Sequence, residues 1–161
     1  MTQLQVIEDK DKNVELVYEP QLLSTVELID KYWGQCEPHI QRCLDGMHGE
    51  MKTEDLYSRA LKGEVFIIVA KCDEPEVPDV KLVIITELVT YPRFTAMNVV
   101  ALGGKDLRNC MKMFWKDVCG WAKVCGVRKI ECSVHPAMER VLASAGFERH
   151  YVQMRQDLTE V

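Results

Sequence analysis

The sequence has no basic excess. Lys and Arg number 20 against 25 Asp and Glu, a net charge of −5 at pH 7. Nucleic-acid binders neutralise phosphates with clustered cations, so this balance excludes that class. No apolar run approaches the roughly 18–20 residues a membrane span requires. The first ten residues lack the basic start and apolar centre of a signal peptide, which leads us to expect a cytoplasmic protein. Gly and Pro are sparse, at 9 and 6 of 161 residues. With no repeat, linker or low-complexity tract, the length fits one domain spanning 1–161, with 1–13 as a loose N-terminal segment. Paired Cys-x-x-Cys spacing is absent. The seven cysteines are odd in number and fall in apolar segments, which favours buried free thiols over a disulfide framework. Cys36, His39, Cys43 and His48 lie close in sequence, but Pro38 interrupts their helical spacing, so no metal site is assigned.

What the chain does contain centres on residues 98–126. Val99, Val100, Ala101 and Leu102 form a short apolar run that reads as a central strand, followed by Gly103-Gly104 as a turn. Leu107, Met111, Phe114, Val118, Trp121, Ala122 and Cys125 then recur at steps of three and four, the apolar face of a helix. Gly126 follows, where a helix end favours a left-handed residue. A strand feeding a glycine turn into a helix N-terminus is a common phosphate cradle; a tight turn with no ligand reads the same way.

The remaining segments extend this layout. Val14–Tyr18 is a strand, and 19–45 are helical with a break expected at Pro38. Thr53 starts a helix that Gly63 stops. Val65–Ala70, Val80–Thr90 and 94–102 form a meander, with an acidic hairpin loop at 73–79. Arg128–Val134 is a strand, Ala137–Ala145 a short helix, and Phe147–Leu158 a final strand with Val152, Met154 and Leu158 on one face. Trp115 lies off the apolar stripe, as core or as an exposed contact. The order predicts a mixed α/β (α+β) fold, a sheet of six to seven strands flanked by helices.

These pieces resemble the GNAT superfamily of N-acetyltransferases. Ala60–Ala70 is similar to that family's helix leading into its second strand. Val99–Leu102 with Gly103-Gly104 and a long helix is similar to its fourth strand and third helix. Ala143-Ser-Ala-Gly-Phe147 is similar to its last helix ending. Tyr91-Pro-Arg93, Asn98–Gly104 and Trp121–Val127 most resemble small GNAT-like proteins of tailed bacteriophages. The resemblance implies an acetyl-CoA site. The pantetheine arm would pair with backbone at Val99, Val100 and Ala101, and the pyrophosphate would sit at Gly103, Gly104, Lys105 and Arg108. It implies an amine acceptor, small molecule or protein, approaching from the opposite side.

The loop departs from the family's Gln/Arg-x-x-Gly-x-Gly/Ala pattern. With Gly103 as first glycine the basic or amide position becomes Val100 and the second small position Lys105; with Gly104 they become Ala101 and Asp106. Asp106 stands where a helix N-cap belongs, and its carboxylate would occupy N–H groups near Arg108 and Asn109. Leu142 stands where many members carry a tyrosine acid. His135 and Tyr91 are the remaining acid candidates, and Glu87 the candidate base. Two functional readings stay open. One is an N-acyltransferase using acetyl-CoA. The other is a catalytically inactive GNAT-fold protein that self-associates or contacts phage structural proteins, such as an internal virion component.

Overall fold

The computed structural model describes residues 5–9, 14–73 and 79–159. Six strands form one sheet in sequence order: β1 (Gln5–Asp9), β2 (Val14–Leu22), β3 (Phe66–Cys72), β4 (Asp79–Thr90), β5 (Thr95–Gly104) and β6 (Lys129–Glu131). Neighbours are antiparallel except β5 and β6, which run parallel. Helices α1 (Val26–Asp45) and α2 (Thr53–Leu61) cover one face, and α3 (Leu107–Val124) covers the other. A single 3₁₀ turn, Pro136–Met138, leads into α4 (Glu139–Ser144).

β3 and β4 are covered on both faces, which is why they read as continuous apolar runs instead of alternating ones. Ile67, Val69, Val83 and Ile85 meet α1 and α2; Ile68, Ala70, Leu82 and Ile84 meet α3. The α3 stripe is Cys110, Phe114, Val118 and Ala122. Gly126, just beyond α3, has φ +76°, the left-handed value its position demands.

Several local expectations are corrected. Pro38 does not break α1, which runs unbroken with Pro38 on its exposed side. Tyr32 and Cys36 before it and His39, Ile40 and Leu44 after it are all buried, and that burial offsets a proline penalty of about 3 kcal/mol. Within the span 1–13, Gln5–Asp9 pairs along β2, and the other residues lie outside the described ones. The cap of α2 is Lys52, whose N–H donates to Asp55, and the Thr53 hydroxyl donates to Glu37 instead. Most of the expected acidic hairpin, 74–78, lies outside the described residues.

The last strand is the largest difference. Phe147 stacks on Trp115 at 5.4 Å, so Trp115 is half-buried and not a free contact. Beyond it the chain forms no ladder, and Tyr151 and Met154 are 92% and 86% exposed. Strand pattern alone does not make a strand without a partner edge, and β6 offers only three residues.

Gly103 and Gly104 do not form a turn. They are the last residues of β5, opposite Val83 and Leu82. A Cβ at Gly103 would sit 2.5 Å from the His39 carbonyl oxygen, and one at Gly104 would collide with the Lys81 carbonyl. Both glycines are required by backbone-to-backbone approach. Gly103→Ala is therefore expected to destabilise the fold by about 1–3 kcal/mol, which lowers Tm by roughly 2–10 °C. Gly120→Ala, in α3 with open space around it, is expected to raise stability by about 0.5–1 kcal/mol. Thermal unfolding of the two variants checks the contrast; equal effects would contradict it.

Candidate functional site

The sheet opens where β5 meets β6. Their parallel ladder joins Ala96 to Lys129, Met97 to Ile130 and Asn98 to Glu131, then stops. On the other side of β5 the register with β4 slips at the same place. Ile85 faces Ala101 while Thr86 faces Val99, which leaves Val100 as an extra, unpaired residue. Such a bulge bends and twists its strand. Side-chain alternation breaks with it: Val100 and Ala101 both pack toward α1, and Val99 and Leu102 toward α3.

From Val99 to Gly104 the outer edge of β5 therefore has no strand neighbour among the described residues. At about 3.3 Å per residue, six residues give roughly 20 Å of open edge. The α3 N-terminus lies at the far end of this edge. Asp106 occupies the N-cap position with a left-handed backbone, φ 49° and ψ 51°. The expected capping by its carboxylate is corrected. That carboxylate accepts from the Asn109 side chain at 2.7 Å, and no side chain caps the first turn of α3. The first-turn N–H groups thus stay available to an anion, beside Lys105 and Arg108. An extended ligand with a backbone-pairing arm and an anionic end, as acetyl-CoA has, fits this donor set.

Glu87 stands at the closed end of the gap. It pairs by register with Asn98, the last β5 residue of the β6 ladder. Its carboxylate accepts from Asn98 Nδ2 at 2.9 Å and from the Arg59 guanidinium at 2.8 Å. Partial burial pushes its pKa up, but the bonds from Arg59 and Asn98 outweigh this and hold it below the ordinary carboxylate value. It is an ionised, weakly basic group. Sequence spacing gave its position but not Arg59, which arrives from α2.

His135 lies beyond the end of β6, at the start of the 3₁₀ turn. Its Nδ1 accepts from the Ala137 N–H at 3.2 Å, so a neutral ring carries its proton on Nε2. Tyr91 donates to Glu131 at 2.6 Å, and this bond raises its pKa. Leu142 is buried and serves packing.

The pairing of Glu87 with Arg59 sets a sign for pH dependence. A folded pKa below the unfolded one contributes stability that is present above the ordinary carboxylate range and is lost as pH falls through the folded value. We expect Arg59→Met to raise the Glu87 pKa and to remove part of the acid-range loss in stability. Carboxyl titration by NMR, with unfolding followed between pH 3 and 7 (roughly the window about the carboxylate value), checks this. An unchanged Glu87 titration would contradict it.

No family model matches the chain, and no curated protein matches its sequence. Solved structures do match. An aminoglycoside acetyltransferase from an uncultured soil metagenomic sample, solved with sisomicin, is 10% identical with a TM-score of 0.66, over 88% of this chain and 96% of that one. An acetyltransferase of Trypanosoma brucei is 14% identical with a TM-score of 0.62, over 88% and 99%. A predicted acetyltransferase from Clostridium acetobutylicum, solved with acetyl-CoA, is 9% identical with a TM-score of 0.64, over 89% and 98%. At these identities the likeness is one of fold, and the fold of this chain is that of the GNAT acetyltransferases.

Proposed function

We propose that this protein is an N-acyltransferase that binds acetyl-CoA along the open edge of β5. The observation that carries the reading is the coincidence of three features: the β5–β6 ladder ends at Asn98, Val100 bulges, and the first turn of α3 is uncapped. The backbone of Val99, Val100 and Ala101 pairs with the extended arm. Gly103, Gly104, Lys105 and Arg108 bring the chain end, two cations and the helix N–H groups to the anionic end. Bound acetyl-CoA supplies a thioester whose acetyl group an amine takes, with a new C–N bond formed and the C–S bond broken.

The remaining chemistry falls to side chains at the closed end of the gap. Ion pairing makes Glu87 a weak base, so it orients water that carries the amine's proton away. The departing thiolate accepts a hydrogen bond from His135 Nε2–H and takes its proton from solvent. Holding the two reactants together supplies much of the rate enhancement. The acceptor class is an amine, in a small molecule or a protein; the neighbour solved with sisomicin supports the small-molecule form.

A second reading has its own observation. Backbone packing explains Gly103 and Gly104 without any ligand, and the acid position is filled by buried Leu142. An inactive GNAT-fold protein that self-associates or contacts phage structural proteins, within a cell or a virion, agrees with these and with the resemblance to phage proteins. Calorimetric titration of the reduced protein with acetyl-CoA separates the two. The transferase reading expects a micromolar Kd, about −8 kcal/mol. At a hundredfold excess over Kd, stabilisation of about 2.7 kcal/mol raises Tm by roughly 5–10 °C. No heat and no shift at millimolar acetyl-CoA would overturn it in favour of the second.

A further inference from the structure

On the α1 side of the β5–α3 junction lies an open cleft of about 520 Å³, lined by Gln35, Pro38, His39, Arg42, Asp79 and Lys105. We propose that this cleft binds the phosphate end of a small-molecule ligand, with Arg42 and Lys105 as its cations.

The wall of the cleft is built around His39. Its ring is buried and contacts the Val80 carbonyl oxygen through Nε2 at 2.7 Å. A carbonyl only accepts, so Nε2 carries the proton and Nδ1 is bare. The Arg42 guanidinium donates to that Nδ1. Burial lowers the His39 pKa, and the Arg42 and Lys105 charges lower it further, which keeps the ring in the neutral form this contact needs. His39 therefore fixes Arg42 at the mouth of the cleft through a neutral bond and leaves its charge uncancelled. No carboxylate pairs with Arg42 among the described residues.

Lys105 supplies the second cation. Its ammonium lies 3.7 Å from Asp79, a long contact, and Asp79 is engaged at 2.5 Å by the Tyr18 hydroxyl. The cleft thus carries two cations against one carboxylate, which leaves a net positive charge. Planar guanidinium groups suit phosphate oxygens, which accept two parallel N–H bonds. Gln35 lines the same cleft, and its Oε1 is buried with no hydrogen-bond partner among the described residues. The volume falls within the range of small-ligand sites.

Two sources present this chemistry: the phosphates of acetyl-CoA reaching over the β5 end, or a separate phosphorylated small molecule. Inorganic pyrophosphate and acetyl-CoA serve as the two probes, titrated calorimetrically into wild type, Arg42→Met and Lys105→Met. Melting within a few degrees of wild type shows that each variant is folded. We expect pyrophosphate binding to weaken about ten- to a hundredfold in Arg42→Met, as loss of a charged hydrogen-bond pair does. If acetyl-CoA binding weakens with it, the phosphate end belongs to the cofactor. If acetyl-CoA binding is unchanged, or absent already in wild type, the cleft takes a separate phosphorylated ligand. Absence in wild type would also count against the transferase reading while leaving this one standing. Wild type that binds neither probe, or variants that bind both as wild type does, would overturn the proposal.

Discussion

The position of one unpaired residue governs the working part of this molecule. Val100 has no partner on β4, because Thr86 pairs with Val99 and Ile85 with Ala101. The extra residue bends β5 just where β6, held by three pairs, comes to an end. The result is a parallel pair that starts as a sheet and ends as a fork. The candidate site lies along that fork. Glu87 and Asn98 are at its closed end, His135 comes after β6, and the uncapped start of α3 is at its open end.

The lower end of β5 is held by a different constraint. Gly103 and Gly104 let the strand pass so close to α1 and β4 that no side chain fits between. This approach brings His39 and Arg42 of α1 beside Lys105, so the packing that fixes the strand also concentrates positive charge near the helix start. The same close approach serves the fold and shapes the cleft. It also means that a glycine substitution would report on folding before it reported on ligand binding.

Much of this was legible in the sequence. The α3 stripe from Leu107 to Ala122 fixed its own face, since helical period and burial agree. The apolar runs of β3 and β4 announced strands covered on both sides. What was not legible depends on contacts distant in sequence. The bulge at Val100 is a property of the β4 register, not of any local residue type. Arg59, which turns Glu87 from a plausible base into a tightly paired carboxylate, comes from a helix 28 positions earlier. The reason for Gly103-Gly104 lies in the path of α1. Pro38 misled because propensity acts locally and burial on both flanks outweighs it. The segment after Phe147 has strand alternation but no edge to join, so pattern and outcome part company there.

The β5 edge beyond Asn98 is open, and we propose that it receives an extended ligand. Amide hydrogen exchange of Val99–Leu102, measured with and without acetyl-CoA, tests it most directly. In the free protein, those amides that are not bonded to β4 should exchange readily, while the β3–β4 core stays protected. Saturating acetyl-CoA should slow them by about tenfold or more, as backbone hydrogen bonds form along the edge. Amides already protected in the free protein, or unchanged by saturating cofactor, would contradict the account.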